Sequence, residues 1–357
     1  MTHRHVRADN LGSLLRPPAV RASYDDSSSP AERRAIEDAA IEEAITHQER
    51  VGLPVITDGE FRRRHFFSTL LEVTEGLDPT GYVRRHRDDA GDWQEVRTPA
   101  PVRRLERTST MAEAELAFVR ERTSRQVKIT LPAPSLLACY WSEAVSGGAY
   151  PTREDYLDHL VELTAEDVRA LAEGGADHVQ LDAPHYCYLN IIRPDLQDTD
   201  AALREMVRRD QEVFAGIENV ASAIHVCRGN NRSRFVGTDP YDAFAPALFP
   251  ELTVDRVLLE YDDARAGGFD ALALLPGDVT AVLGLITTKH GEMEERDELH
   301  ARIEDAAQHL PLDRLALSTQ CGFASDADGN EIGPDAQWAK LELVVDTAEE
   351  VWGALVP

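Results

Sequence analysis

At 357 residues the chain is long for one sandwich or bundle, but normal for one large α/β barrel or for two domains. A formal net charge of -27 argues against nucleic acid and anionic membrane as main partners. A hydrophobic content of 43% is enough for a sizeable core, and no apolar run reaches the 18 residues of a membrane span. The first residues, "MTHRHVRADNLGS", lack the apolar stretch of a signal peptide, so a cytoplasmic location is expected. The four cysteines, Cys139, Cys187, Cys227 and Cys321, are widely scattered. In a reducing compartment these are core residues, metal ligands or nucleophiles more often than disulfides.

The elements follow in chain order. A first strand lies near "ADNLGS". A loop at "YDDSSSP" leads into a helix through "AERRAIEDAAIEEAITHQERVG", where Ile36, Ala40, Ile41 and Ile45 form one apolar stripe and Gly52 ends it. "LPVITDGE" is a buried strand from Leu53 to about Thr57. The stretch from Asp78 to Arg104 is polar and turn-rich. It breaks the alternation and reads as an inserted hairpin or lid-like excursion over about 78–110, within one barrel domain over 1–357. A third strand spans Gln126 to Leu131. A helix through "REDYLDHLVELTAEDVRALAEGG" stops at Gly174-Gly175, and "ADHVQLDAP" is a strand ending at Asp182. A helix around "LREMVRRDQEVFAGIENV" precedes the strands "SAIHVC" and "DRVLLEYDD". The seventh strand falls at "ALALL" or "TAVLGLIT". The helix "ERDELHARIEDAAQHL", the strand "RLALSTQCG" and the helix "AQWAKLELVVDTAEEVWG" complete the chain.

The strands are short, apolar and β-branched, as strands buried on both faces are. About eight of them alternate with helices, which predicts an α/β fold, a (β/α)₈ TIM barrel with a small hairpin-like insertion. An open doubly wound sheet is the alternative, but no strand is followed by a Gly-x-Gly-x-x-Gly turn.

Barrel chemistry sits at the carboxyl ends of the strands. Those ends carry Asp58-Gly59-Glu60; Asp182 with His185 and Cys187 just beyond; His225 and Cys227; Glu260 with Asp262 and Asp263; Thr287-Thr288-Lys289; and Cys321. His225 and Cys227 point to one side of their strand because side chains alternate. With Glu260 and Cys321 they can converge above the barrel mouth, and imidazole, two thiolates and a carboxylate suit zinc. Such an electron-rich zinc is a poor Lewis acid, suited to holding a substrate thiol as a nucleophile. His185-x-Cys187 has the same spacing, and the residues alone do not separate the two pairs. Tyr186, Cys187 and Tyr188 also read as packing around a substrate. Beside the site, "RGNNRSRF" offers arginines and asparagines for an anionic group, or a solvated loop. Asp262 and Asp263 can orient Arg228 or a ligand from behind.

In this order, "HVC", "LLEYDD", "LGLITTK" and "LALSTQCGF" resemble the catalytic half of cobalamin-independent methionine synthase and its single-barrel relatives. "NLGSLLRP", "GLPVITDGEFRR" and "VQLDAP" resemble earlier motifs of that family, so the resemblance runs from Gly12 to Gly322. It implies a zinc ion held by His225, Cys227, Glu260 and Cys321, and favours that pair over His185 and Cys187. It also implies a thiol, homocysteine, held by its amino-acid end through Ser13, Glu60 and Asp182, and methylated to methionine. Where full-length members have a proton-donating histidine, this chain has Lys289, with His290 next to it. Full-length members use a second barrel to grip a polyglutamyl folate. The single barrel leaves the donor open among methylfolate, methylcorrinoid and other small methyl compounds.

The partners expected are thus a small-molecule thiol and a methyl donor, with no nucleic acid and no membrane; a homo-oligomer stays open. Three rival functions remain. One is a zinc-thiolate alkyltransferase that opens an epoxide with a small thiol. The second is a barrel hydrolase with zinc-activated water, for which His3-x-His5 has the spacing but sits in the tail. The third is a metal-free, decarboxylase-like or binding barrel.

Overall fold

The structure is a computed structural model, and it describes residues 6–25, 29–87 and 93–355. Among the described residues, ten strands are β1 (Ala8–Asp9), β2 (Val55–Ile56), β3 (Thr74–Arg87), β4 (Trp93–Arg107), β5 (Gln126–Pro132), β6 (His178–Asp182), β7 (Ala221–Val226), β8 (Arg256–Glu260), β9 (Thr280–Ile286) and β10 (Leu315–Thr319). Eight of them form one parallel sheet in the order β1-β10-β9-β8-β7-β6-β5-β2. The two ends of that order are tied by a side chain, since Asn10 Nδ2 donates to Val55 O at 3.1 Å. The result is a nearly closed barrel with helices outside, the TIM-barrel class the alternation predicts.

Every residue of β6, β7, β8, β9 and β10 is buried. This explains why these strands read as continuous apolar runs rather than alternating ones. Leu11, Ala223, Leu258, Val282 and Ala316 form a small inner cluster, while the larger core lies between strands and helices. The long helices start and stop where local chemistry demands. Pro30–Arg50 is opened by a capping box between Ser29 and Glu32, and Arg153–Glu173 by one between Thr152 and Asp155.

Two elements depart from the sequence reading. "ALALL" is no strand: Asp270–Leu274 is a 3₁₀ turn, and "TAVLGLIT" supplies β9. Its Gly284 is required there, because a Cβ would stand 2.7 Å from Gln320 Cα and 2.8 Å from Leu259 O. The helix after Asp198 also ends early, at Gln211, followed by a 3₁₀ turn.

The excursion after β2 is an antiparallel hairpin of β3 and β4, interrupted by register shifts at Glu75/Leu77 and Asp78/Tyr82. Its base is anchored to the barrel. Arg107 pairs with Asp167 at 2.6 Å, and Leu105 N donates to the Tyr150 hydroxyl at 2.8 Å. No helix among the described residues is long and apolar enough to cross a membrane.

Candidate functional site

The strand ends bring His225, Cys227, Glu260 and Cys321 together. One ligand atom from each lies within 4.8 Å of all the others, and all four residues are buried. The Cys227 and Cys321 sulfurs are 3.6 Å apart and unbonded. In a tetrahedral zinc site with bonds of about 2.3 Å to sulfur, the two sulfurs stand roughly 3.8 Å apart. The observed spacing therefore fits two thiolates on one cation and is far too long for a disulfide.

The histidine points the same way. Its Nδ1 is bonded to Asp182 Oδ1 at 3.0 Å, whereas Nε2 is buried with no hydrogen-bond partner. A carboxylate can only accept, so Nδ1 keeps a proton, and once the ring is neutral its Nε2 lone pair is free for a metal, the tautomer a metal ligand needs. Glu260 is placed from two sides. Its own N–H donates to the Tyr241 hydroxyl at 2.8 Å, and its Oε1 accepts from Arg228 N at 2.9 Å. The Cys227 sulfur accepts from Gly229 N at 3.3 Å.

Protons are held unevenly in this cluster. A hydrogen bond from Cys227 keeps the Cys321 thiol well below its usual value, against burial. That same bond, with burial, pushes Cys227 well above it. Burial and then the charge on Cys321 raise Glu260 to about 7. For His225, burial opposes the charged ring, but Asp182 and Cys321 outweigh it and raise the group to about 10. Two thiols and a carboxyl crowded into so dry a volume hold protons that a cation among the four donors would displace. The residues fit zinc.

Beside the cluster opens a cavity of about 430 Å³. Ser13, Glu60 and Asp182 line it together with His225, Cys227 and Cys321. Glu60 sits in the left-handed region at φ 59, after Gly59 at φ 68. A non-glycine residue there costs of order 1–3 kcal/mol, and such strain gathers at working sites. The strain is locked by Asp58, whose Oδ1 accepts from Glu60 N at 2.9 Å. Glu60 Oε1 accepts from Thr130 Oγ1 at 2.7 Å, but Oε2 is buried without a partner. Burial lifts this carboxyl to about 7, with Arg63 opposing and Asp182 adding to the rise. Ser13 reaches the cluster only because residue 322 is glycine, whose Cβ would lie 2.0 Å from Ser13 Oγ.

The rival pair lies elsewhere in the wall. His185 Nε2 is 2.7 Å from Ser135 Oγ, and the Cys187 thiol donates to the carbonyl of Cys227 at 3.0 Å. Neither belongs to the four-donor group. Lys289 and His290 do not line the cavity. Lys289 Nζ is bound to Asp262 Oδ2 at 2.5 Å, and the His290 side chain is 57% exposed beside Glu292. Asp262 and Asp263 hold Lys289 and Arg265 rather than Arg228, and Arg228 instead donates to Asp239 O at 2.7 Å. Of "RGNNRSRF", Gly229, Asn230 and Asn231 line the cavity. His3 and His5 lie outside the described residues.

The sequence reading missed most of the cavity's outer wall. Phe66, Phe67 and Tyr140 line it, with Phe66 and Phe67 edge to face at 5.2 Å. The signal was the "HFF" run just past Glu60. Glu95 and Arg97 reach the cavity from the hairpin, and no motif announces them.

A family model described as the catalytic domain of cobalamin-independent synthase matches residues 17–350. A Bacillus subtilis relative, the uncharacterized protein YxjH, is 33% identical over 368 residues, covering 97% of this chain and 94% of the relative. Methionine synthase of Pyrococcus abyssi is 26% identical over 294 residues, covering 82% of this chain and 77% of the relative. Among solved structures, a putative vitamin-B12 independent methionine synthase from Listeria monocytogenes superposes with a TM-score of 0.73. It is 26% identical, and the match covers 98% of each chain.

Proposed function

Because the chain belongs to the family defined by the cobalamin-independent synthase catalytic domain, a family of methyl transfer of the methionine synthase kind, we propose that it is a zinc-dependent thiol methyltransferase. Its substrates in this reading are homocysteine and a small methyl donor, a methylfolate or methylcorrinoid, and its product is methionine. The observation that carries the proposal is the sulfur pair at 3.6 Å, with His225 Nε2 unpartnered beside it and one cavity touching both and the Glu60 and Asp182 carboxylates.

His225 Nε2, the two cysteine sulfurs and a Glu260 oxygen would hold the zinc. When bound there it lowers the pKa of a substrate thiol and keeps the sulfur nucleophilic. Everything else falls to the chain's own residues. Glu60 and Asp182 present carboxylate oxygens for the substrate's ammonium group, and each oxygen so used gains a charge-assisted hydrogen bond. Ser13 adds a hydroxyl at the same end. Asp182 serves twice, since its Oδ1 also fixes the His225 ring. Phe66, Phe67 and Tyr140 supply an apolar wall that excludes water from the reacting sulfur and methyl carbon. The transfer forms a sulfur–carbon bond and breaks the donor's bond to methyl, and the donor keeps that electron pair. Lys289 can protonate a leaving group only by giving up its ion pair with Asp262, and His290 only by turning inward from the surface.

The test is metal analysis combined with homocysteine titration, with and without chelator, followed by assay of methionine formation from methylfolate and methylcorrinoid. One zinc per chain and chelator-sensitive homocysteine binding are expected. A metal-free protein that binds homocysteine equally well with chelator present rejects the reading.

A further inference from the structure

Beneath the cavity the barrel interior holds a second polar group, made by β1, β5, β6 and β8. Lys128 of β5 donates to Asp9 Oδ1 at 2.6 Å and to Asn10 O at 2.8 Å. Arg256 of β8 reaches Asp9 Oδ2 at 3.2 Å. The third proton of Lys128 goes to Gln180 Oε1 of β6, at 3.2 Å. That contact decides which way the amide faces. An ammonium only donates, so the atom opposite it is the carbonyl oxygen, and Nε2 must point the other way.

Nε2 has two acceptors. It donates to Asp182 Oδ1 at 2.8 Å and to Leu11 O at 3.1 Å. Gln180 and Asp182 stand two apart on β6, so both side chains face the barrel axis. Leu11 begins the short loop that carries Ser13. Gln180 itself is fully buried and does not line the cavity.

We propose that Gln180 is the positioning residue of this site. Anchored by Lys128, it clamps Asp182 Oδ1, so that one oxygen serves both Gln180 and the Nδ1–H of His225. Asp182 Oδ2 is left for the substrate's ammonium. Its second bond holds the Leu11–Ser13 loop at the height of Asp182. One buried amide thus joins the side that would hold zinc, through His225, to the side that would hold the amino-acid end of the thiol. A lone carboxylate turns about its terminal torsion, and Asp182 with His225 as its sole partner would not keep its two oxygens in separate tasks. The role rests on the functional reading above, namely an amino-acid thiol bound beside zinc.

The test uses the full chain with Gln180→Glu. This change keeps the shape and the acceptor for Lys128, but removes both donors and sets a second carboxylate against Asp182. Zinc affinity is read by competition with a chromophoric chelator, L-homocysteine affinity by calorimetry, and the midpoint of thermal unfolding alongside. Zinc affinity should fall about 10- to 100-fold, as it does when a ligand's hydrogen-bonding support is lost. The homocysteine Kd should rise about tenfold, with KM rising in step and kcat changing less. If Gln180→Glu does not fold, Gln180→Met is read in the same way. Both affinities within twofold of the unaltered protein, whatever the thermal midpoint does, overturn the proposal and leave Gln180 a packing residue. If the unaltered protein binds neither zinc nor homocysteine, the functional reading falls first and takes this role with it.

Discussion

Two His-x-Cys pairs occur in this chain with the same spacing, and the fold uses them in opposite ways. His225 and Cys227 lie on and just past the end of strand β7. There the period of two sends both side chains into the mouth of the barrel, with one ring nitrogen left bare. His185 and Cys187 lie in a 3₁₀ turn, Pro184–Cys187. Three residues per turn rotate neighbours two apart to different sides. His185 therefore packs against Ser135, whose hydroxyl donates to Asp210 Oδ2, while Tyr186 donates to the same oxygen at 2.5 Å. Burial alone lowers His185 to about 3, so the ring stays neutral. Cys187 turns to the Cys227 carbonyl, and burial raises its thiol far above the usual value. One pair belongs to a group that could hold a metal ion, and the other is the scaffold behind it. Residue type and spacing are equal, so local backbone geometry makes the difference.

Substitutions can break this contrast, and the largest effect is expected at the donor set. Cys227→Ser or Cys321→Ser should take zinc from one per chain to near zero, with the far-ultraviolet circular dichroism unchanged. Several kcal/mol of lost metal assistance corresponds to a rate loss on the order of 10³. Cys187→Ser should keep its zinc, and metal analysis of the three variants side by side decides whether the two pairs differ as described.

The next effect concerns substrate. Glu60→Gln removes a charged acceptor and should weaken homocysteine binding about 100-fold, from the loss of a charge-assisted hydrogen bond worth roughly 1.5–3 kcal/mol. Glu60 carries a carboxyl raised to about 7. Only its carboxylate attracts an ammonium, so affinity should strengthen as pH rises through about 7 and then level, and calorimetry on Glu60→Gln should show that dependence lost. The same upward shift has a folding consequence. The folded state keeps the proton longer than the unfolded chain, so this group lowers stability as pH climbs from its unfolded value of about 4.3 toward about 7.

At the scaffold pair the readout changes from metal to stability. His185→Leu should cost about 2 kcal/mol, because the buried Ser135 hydroxyl loses its ring-nitrogen partner, and should leave zinc content intact. Cys187→Ala should cost about 1 kcal/mol for one weak hydrogen bond and a small void. Urea unfolding measures both. A His185→Leu protein that lost zinc would undo the distinction between the pairs.

Much of the architecture was legible in the chain. Strands buried on both faces have to be apolar throughout, so β6 to β10 announced themselves, and alternation with helices left few topologies. "ALALL" misled because a short apolar run carries no period that separates a strand from a buried turn. The donor residues were legible as strand ends and by family resemblance. Of the cavity's other walls, Tyr188 and the loop with Asn230 and Asn231 were legible as candidates, and the rest were not. Phe66, Phe67 and Tyr140 come from loops, and Glu95 and Arg97 from a hairpin whose path over the barrel no periodicity encodes. Lys289 showed the reverse failure. Its position after β9 suited a proton donor, but its direction was set by Asp262, a residue on another strand's loop.

By itself, then, the amino-acid sequence determined the order of strands and helices, the strand ends at which polar residues collect, and a set of donors suited to a soft cation. These follow from local rules, namely side-chain period, capping and hydrophobic burial, that act over a few residues. Tertiary structure alone decided that two sulfurs 94 positions apart stand at 3.6 Å, that Asp182 holds His225, and that Gln180 joins Lys128 to Asp182. Those facts depend on the register between strands distant in the chain, and register is fixed by the closing of the whole barrel.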